Sequence, residues 1–471
     1  MLFPTIEFAI FFSIVFPVTW AVNRRNTLKK HFLLLASYFF YGFWSTNYLL
    51  ILLLSPIFNF YLGKALGYLK QRNHRLVLLW FGIAINLAIL IYFEYYNFLL
   101  SSLMNWLLSA GIQMNAEFIE VAVPVAISFL TFHVLAYIID IYHRRIDPAR
   151  SLLDIMLYVS FFPHLIAGPI IRPKSFLDQT ARISDPAEVN AGPSIFLILA
   201  GLFKKILIAN YIATDFVDPI FHAPQDRSSL DLLLGMYGYA LQIYCDFSGY
   251  TDIAIGLANL LGYRFPENFN QPYRALTFQD FWRRWHITLS SWLRDYLYIP
   301  MGGNRHGVFR TYMNILVTMG LGGLWHGAKS TFLLWGLMHG AALVGERMLG
   351  ITGHESQKRG RLSKTVSWVV TFHMICLSWV FFRAPSFDIA ADYIVALVSN
   401  YSIETTISPL VAIMLVLGAL TQALPKRPFE RLQVQYDSAP VPIKIAIASG
   451  VMFVICVAAP PGVPPFIYFQ F

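Results

Sequence analysis

Apolar runs long enough to cross or enter a bilayer recur along nearly the whole chain. A helix needs roughly 20 mostly apolar residues to span the hydrocarbon core, because its backbone polar groups find no water there. About a dozen to fourteen runs meet or approach that length, at residues 6–22, 31–44, 48–66, 76–98, 119–142, 152–171, 193–213, 229–246, 249–263, 310–327, 330–349, 365–383, 405–424 and 441–460. Several runs are short, so we expect some to be re-entrant. The sequence therefore predicts an all-α, polytopic integral membrane protein with about 11–14 transmembrane or re-entrant helices.

The composition excludes a soluble enzyme. Of the 471 residues, 57% are hydrophobic and only 13% are charged, whereas roughly 25% are charged in ordinary soluble domains. No polar stretch is long enough for a separate soluble domain, so we expect one membrane domain over residues 1–471. Within it we distinguish N-terminal spans at 1–150, a core at 151–350 and additional spans at 351–471.

The basic residues predict the orientation of the chain in the membrane. The net charge is +9, but Lys and Arg lie in short loops between apolar runs, so we expect no nucleic-acid partner. Positive loops tend to stay cytoplasmic, and those of this chain carry Arg24, Arg25, Lys29, Lys30, Lys64, Lys70, Arg72, Arg75, Arg144, Arg145, Arg150, Lys358, Arg359, Arg361, Lys364, Lys426, Arg427 and Arg431. The alternate stretches 45–47, 99–118 and 384–404 contain no Lys or Arg. Both termini are therefore predicted to lie outside the cytoplasm. Arg172 and Lys174 fit the alternation less well, which we attribute to re-entrant or buried segments.

Motifs for several kinds of chemistry are missing from the sequence. It contains no HExxH pair, no G-x-S-x-G elbow and no phosphate-binding loop, which disfavours a metal site, a serine hydrolase and a nucleotide site. Cys245, Cys376 and Cys456 have no C-x-x-C spacing and are interpreted as packing residues. The first run, 6–22, has no basic segment before it and no small-residue cleavage site after it, so we expect a retained span.

Residues 264–309 form a long stretch that is neither a span nor a plain loop. Thr277 and Asp280 resemble a capping box at the start of a helix over FWRRWHITLSSWLRDYLYI. Helical spacing places five side chains on one face, namely Trp282, His286, Leu289, Leu293 and Tyr296. A more polar face carries Arg284, Thr288, Ser291 and Asp295. The pattern predicts an amphipathic interfacial helix with a titratable group, His286, on its apolar face.

Ionisable residues inside apolar runs are candidates for function, because charge is costly in a bilayer. They are Glu94, His133, Asp140, His164, Lys204, Lys205, Asp246, Asp252, His326, His339 and His373. For any single one of them, a hydrogen-bonded packing role is the more common explanation.

His326 stands out because glycines surround it, at Gly320, Gly322, Gly323 and Gly327. Missing side chains let another helix or a ligand approach closely, and histidine can exchange a proton near neutral pH. The alternative is a helix-packing site with a satisfied histidine, and the residues alone leave both open. His339 would point away from His326 on a continuous helix, so we expect a supporting or packing role for it.

These residues and several longer blocks resemble the membrane-bound O-acyltransferase family, and within it the branch of alginate O-acetylation. The blocks are VPVAISFLTFH (123–133), YIIDIY (137–142), FFPHLIAGPIIR (161–172), YCDFSGYTDIAIGLANLLGYRFPENFNQPY (244–273), FWRRWHITLSSWLRDYLYIPMGGNR (281–305), LGGLWHG (321–327) and FIYFQF (466–471). The central blocks are also similar to teichoic-acid D-alanyl transfer proteins, but the spans after residue 384 favour the polysaccharide-acetylating branch. The resemblance implies a multi-pass protein of the bacterial inner membrane, with helices around a central funnel, a catalytic core at 151–350 and both termini in the periplasm.

The resemblance further implies acyl transfer, most simply of an acetyl group, from a cytoplasmic thioester to an extracytoplasmic acceptor in exopolysaccharide acetylation. No tightly bound cofactor or metal is expected, and acetyl-CoA is the favoured co-substrate. The expected partners are the lipid bilayer, a periplasmic acetyltransferase or SGNH-esterase-like protein, and other polysaccharide-modification proteins.

The resemblance also assigns roles to single residues. His326 corresponds to the catalytic histidine and would take the proton from an acceptor hydroxyl. His286 corresponds to a second polar position that could orient the acceptor or stabilise an oxyanion. Five residues in the family blocks are expected to shape the site, namely Asp246, Trp325, Arg283, Arg284 and Asp295.

Alternatives remain open at this point. Lys204 and Lys205 could attract an anionic donor or could snorkel at the end of a span. The transferred group could be D-alanyl rather than acetyl. A transporter would predict internal repeats with paired broken helices, and the halves share no repeated motif. A scaffold that docks a secreted acyltransferase would need His326 only for folding.

Overall fold

The computed structural model describes residues 1–113, 118, 123–351 and 360–460. Within these ranges the protein is helical and contains no β-strand, which confirms the predicted all-α class. The FIYFQF block, Lys358, Arg359 and the first residues of the predicted span at 119–142 lie outside the described residues. The chain divides into two compact units, Met1–Val189 with Ala258–Phe265 and Asn190–Leu257 with Pro266–Phe471.

Five helices among the described residues are long and apolar enough to cross a membrane: Leu49–Tyr68, Arg72–Ser109, Ala191–His222, Arg361–Arg383 and Val441–Ala458. A sixth span results if Pro409–Ala423 and Lys426–Ser438, which meet at a 96° bend, are counted together. Two shorter apolar helices are Ile6–Ala21 and Ile127–Tyr142. The protein is thus a polytopic membrane protein, as the sequence predicts.

The first unit is built around a cluster of phenylalanine rings. Its helices are α1 (Ile6–Ala21), α2 (Asn26–Gly42), α3 (Leu49–Tyr68), α4 (Arg72–Ser109), α5 (Ile127–Tyr142), α6 (Leu152–Ser160), α7 (Phe162–Leu165) and α8 (Pro173–Thr180). The ring of Phe162 lies 5.2–6.3 Å from those of Phe8, Phe11 and Phe40. The apolar run at 152–171 does not form one helix, because α6 ends at Ser160 and α7 ends at Leu165.

One lysine of a predicted cytoplasmic loop is buried in this unit. Lys29 is 1% exposed, and its ammonium group donates to Asn23 at 3.1 Å and to Ser184 at 2.7 Å. It also lies over the rings of Trp20 and Tyr263 at 5.5 and 5.3 Å. Neutral oxygens and aromatic faces therefore surround this cation, although the sequence placed it in a short cytoplasmic loop.

The second unit holds the predicted core and the C-terminal spans. Its helices are α9 (Ala191–His222), α10 (Ser229–Leu260), α11 (Phe278–Trp282), α12 (Ile287–Leu293), α13 (Val308–Leu324), α14 (Ser330–Met348), α15 (Arg361–Arg383), α16 (Phe387–Ser399), α17 (Pro409–Ala423), α18 (Lys426–Ser438) and α19 (Val441–Ala458).

The helix α10 corrects one prediction. The runs 229–246 and 249–263 were expected to be two spans, but Ser229–Leu260 is one helix of 32 residues. Gly249 does not break it. A side chain at Gly249 would lie 2.7 Å from the carbonyl oxygen of Gly201, so this glycine allows α9 and α10 to pack closely.

Close packing also explains part of the glycine cluster near His326. A Cβ atom on Gly323 of α13 would lie 2.2 Å from the carbonyl oxygen of Phe332, and one on Gly336 of α14 would lie 2.2 Å from that of Met319. The backbones of α13 and α14 therefore touch at these two glycines. This contact fixes where the turn between the two helices lies, and His326 is in that turn.

Candidate active site

The segment around His286 is a broken helix, not the continuous amphipathic helix that the sequence predicts. Thr277 does cap α11, since its hydroxyl accepts from the amide of Asp280 at 3.0 Å. However, α11 ends at Trp282 and α12 begins at Ile287, with His286 between them at φ 41° and ψ 55°. Left-handed backbone at a residue other than glycine costs about 1–3 kcal/mol and persists only where the surroundings hold it.

Residues 268–270 hold this left-handed turn through backbone hydrogen bonds. The amide of Asn270 donates to the carbonyl of Arg284 at 2.8 Å, and the amide of Ile287 donates to that of Asn268 at 3.0 Å. The two bonds lie on either side of His286. The prediction failed because this pairing partner lies more than ten residues earlier in the chain and has no local signal.

The side chain of Asn268 fixes the imidazole of His286. Its Oδ1 accepts from the backbone amide of Thr288 at 3.1 Å and from the hydroxyl of the same residue at 2.9 Å. Nδ1 of His286 lies 3.2 Å from that Oδ1. Because the amide of Thr288 can only donate, Oδ1 is an acceptor, and Nδ1 of His286 must be the donor. The sequence reasoning missed Asn268, whose only signal is its place in the NFNQPY part of a family block.

His286 is fully buried among aromatic rings. Its exposure is 0%, and its ring lies 4.8 Å from that of Phe247 and 6.4 Å from that of Phe269. Among the described residues, its Nε2 atom has no hydrogen-bond partner. A buried, unpaired ring nitrogen is a costly arrangement in a purely structural role.

His326 lies in the turn after α13 and is also enclosed by rings. It is 6% exposed, and ring centroids lie 5.0 Å away at Trp325, 5.2 Å at Trp335 and 5.0 Å at Phe382. The turn ends at Gly327, whose φ is 149°. The structure therefore holds His326 on non-helical backbone within an aromatic pocket.

The indole of Trp325 connects the two predicted catalytic histidines. Its ring lies 5.8 Å from His286 and 5.0 Å from His326. Three predicted site residues, separated by up to 40 positions in the sequence, thus form one buried cluster. Two buried imidazoles against one indole form a site suited to proton transfer.

His339 contacts this cluster through Trp335. Its ring lies 4.8 Å from that indole, and its Nε2 lies 2.9 Å from the hydroxyl of Ser378. The argument that it points away from His326 assumed a continuous helix, but α13 ends at Leu324 and α14 starts at Ser330. Both histidines contact Trp335, which lies 5.2 Å from His326.

Two of the predicted site-shaping charges pair with charged residues next to them or one helical turn away. Arg283 is exposed, Arg284 pairs with Asp280 at 2.8 Å, and Asp295 pairs with Arg294 at 2.7 Å. These ion pairs lie within the segment that carries His286 and help to stabilise it.

Lys204 and Lys205 both form ion pairs with α10, and these contacts favour a structural role for the two lysines. Lys205 pairs with Asp246, and their side chains are 3% and 6% exposed. Lys204 contacts Asp252 at 2.5 Å and the hydroxyl of Ser248 at 2.9 Å. These lysines are neutralised inside the unit and do not snorkel. Asp246 is next to the site in the sequence, because the following residue, Phe247, contacts the ring of His286.

The remaining ionisable candidates lie in other surroundings. The tilted rings of His133 and His164 lie 4.9 Å apart in the first unit. Asp140 pairs with Arg145 at 3.0 Å, and His373 bonds to the backbone of α15 at 2.7 Å. Among the described residues, no group of three or more His, Cys, Asp or Glu side chains could hold a metal ion.

Comparison with known sequences places the cluster in a family. The model of the membrane-bound O-acyltransferase family matches residues 31–382, a range that includes His286, Trp325 and His326.

Three relatives illustrate the range of the match. The alginate O-acetylase AlgI of Pseudomonas aeruginosa is 42% identical over 369 residues, which cover 78% of this chain and 68% of that protein. The peptidoglycan O-acetyltransferase of Helicobacter pylori is 37% identical over 400 residues, 79% of this chain and 74% of that protein. The teichoic acid D-alanyltransferase of Bacillus subtilis is 28% identical over 279 residues, 55% of this chain and 69% of that protein.

Proposed function

The chain belongs to the membrane-bound O-acyltransferase family and is an O-acyltransferase, and from this premise we propose that it transfers an acetyl group across the bacterial inner membrane. In this proposal a cytoplasmic thioester, with acetyl-CoA as the favoured donor, supplies the acetyl group. An extracytoplasmic hydroxyl receives it, as part of the acetylation of an alginate-like exopolysaccharide. Both termini lie in the periplasm.

The observation that carries the proposal is the burial of His286 and His326 against one indole ring. Transfer from a thioester to a hydroxyl requires that the hydroxyl lose a proton and that the departing sulfur gain one. Positioned acid–base groups typically contribute about 10²- to 10⁴-fold to such a step. Two histidines in one buried cluster can serve both the hydroxyl oxygen and the sulfur, and we assign them to this chemistry.

The choice of acetyl transfer rests on the relatives. A named alginate O-acetylase is 42% identical and a named peptidoglycan O-acetyltransferase is 37% identical, whereas the named D-alanyltransferase is 28% identical over a shorter part of the chain. An acceptor polymer outside the cell also fits a periplasmic acetyltransferase or SGNH-esterase-like partner that completes the transfer.

Radiolabelled acetyl-CoA supplied to inverted membrane vesicles tests this proposal. We expect label inside the vesicles as alkali-labile ester on a polymer or on a partner protein, in vesicles with the protein and not in vesicles from a deletion strain. If ester forms only when radiolabelled activated D-alanine is supplied instead, the transferred group is D-alanyl and not acetyl. No ester from either donor would contradict the proposal.

A further inference from the structure

We infer that Asn268 is a positioning residue that makes His286 the proton acceptor for the attacking hydroxyl, which leaves His326 to serve the thioester. This inference rests on the proposed function, because it names which atoms the two histidines meet. It goes beyond the sequence prediction, in which His326 was the base and His286 could orient the acceptor or stabilise an oxyanion.

The first step of the argument is the tautomer of His286. Oδ1 of Asn268 is held as an acceptor by the amide of Thr288 at 3.1 Å, and Nδ1 of His286 donates to it at 3.2 Å. A neutral imidazole has one N–H and one lone pair. The lone pair of His286 is therefore on Nε2.

The second step concerns what Nε2 can do. It is buried and has no hydrogen-bond partner among the residues of the described ranges. An imidazole in this tautomer can accept a proton at Nε2 but cannot donate one to an oxyanion. The same logic operates where a carboxylate orients a histidine base beside a nucleophile, except that a neutral amide here does the orienting.

The third step is the rigidity of the arrangement. The left-handed backbone at His286 is held between the bonds from Asn270 to Arg284 and from Ile287 to Asn268. Asn268 therefore fixes the residue through its backbone carbonyl and through its side chain. Rotation of the imidazole would break the bond to Oδ1 and would change its edge-on contact with the ring of Phe247, 4.8 Å away.

The resulting step balances in atoms and charge. The hydroxyl oxygen forms a bond to the thioester carbonyl carbon while its proton moves to Nε2 of His286. The carbon–sulfur bond then breaks, and the proton on Nε2 of His286 passes, directly or through His326, to the departing thiolate. An ester and a thiol leave, and both histidines are neutral again. His326, across Trp325, is the ring placed to serve the carbonyl oxygen or the departing sulfur.

The first test is spectroscopic and independent of turnover. Purified full-length protein with ¹⁵N-labelled histidine is studied by NMR, and the His286 resonances are identified by their loss in His286→Gln. We expect protonated Nδ1 and bare Nε2 in the wild type, and loss of this preference in Asn268→Leu. Protonated Nε2 in the wild type would overturn the inference whether or not the protein transfers acetyl groups, whereas absence of transfer by the wild type would count against the proposed function alone.

The second test is kinetic. We expect Asn268→Leu to lower kcat by about 10²-fold or more with little change in KM for acetyl-CoA. Asn268→Asp keeps an acceptor at Oδ1 and should restore part of the lost rate. The matched control is Asn314→Leu, which removes another buried asparagine of the same unit, whose amide donates to the carbonyl of Gly303 at 2.9 Å. Full activity of folded Asn268→Leu would refute the assignment. If that variant does not fold, the tautomer of His286 in the wild type decides: protonated Nδ1 supports the assignment, and protonated Nε2 overturns it.

Discussion

Replacement of Lys205 by methionine tests whether the two lysines of α9 are structural or serve the donor. Lys205 and Asp246 are 3% and 6% exposed, so removal of the ammonium group leaves an almost fully buried carboxylate without its partner. Breaking a buried ion pair in this way costs roughly 3–5 kcal/mol. The nearby pair of Lys204 with Asp252 is 14% and 23% exposed, and partial access to water should reduce that cost.

The expected order of stability follows from these exposures. Lys205→Met should lower the thermal unfolding temperature of the detergent-solubilised protein more than Lys204→Met does. The double variant Lys205→Met with Asp246→Leu should recover much of the loss, because apolar replacement of both partners removes the uncompensated charge. Size-exclusion chromatography with fluorescence detection after heating measures all of these proteins under the same conditions.

The donor-binding explanation makes the opposite forecast. It expects Lys204→Gln with Lys205→Gln to raise KM for acetyl-CoA and to weaken its salt dependence, with stability unchanged. Equal thermal stability of Lys205→Met and the wild type would refute the structural reasoning.

Three further predictions concern packing, pH and orientation. Gly323→Ala should abolish folded protein, because its Cβ would lie 2.2 Å from a backbone oxygen, whereas Gly345→Ala meets nothing within 4 Å and should leave the yield in membranes unchanged. Burial lowers the pKa of Lys29 to about 8 from 10.5. Between these two pH values the unfolded chain binds more protons than the folded protein, so the stability of the protein should rise with pH across that window. Melting curves of Lys29→Met should lack this rise. With native cysteines removed, an impermeant maleimide should label Ser402→Cys in intact spheroplasts and Gln435→Cys only after permeabilisation; the reverse pattern would invert the predicted orientation.

Local sequence signals predicted local structure well. The cap at Thr277 follows from a hydroxyl three residues before an acidic side chain, and both groups lie within one turn. The glycines before His326 predicted close approach of another helix, and Gly323 meets Gly336 in that way. Each of these features depends on residues close in sequence or on one missing side chain.

Features set by distant partners could not be predicted from one sequence. The spacing of FWRRWHITLSSWLRDYLYI fits a continuous helix, and only the pairing of Arg284 and Ile287 with residues 268–270 breaks it. Likewise, the sequence allows Lys205 to be an exposed residue at the end of a span. The structure shows that it pairs with Asp246, which lies 41 positions later in the chain. The cluster of His286, Trp325 and His326 was named in advance through the family resemblance, but Asn268 became visible only through its hydrogen bonds.

The most direct measurement is the O-acetyl ester content of extracellular and wall polymers in a deletion strain that produces His326→Gln at the wild-type membrane level. Wild type and His373→Gln serve as controls, since His373 bonds to the backbone of α15 outside the aromatic cluster. We expect both controls to restore the ester and His326→Gln to leave it at the level of the deletion strain. Full restoration by His326→Gln would contradict the assignment of His326 to the chemistry and would favour a scaffold for another acyltransferase.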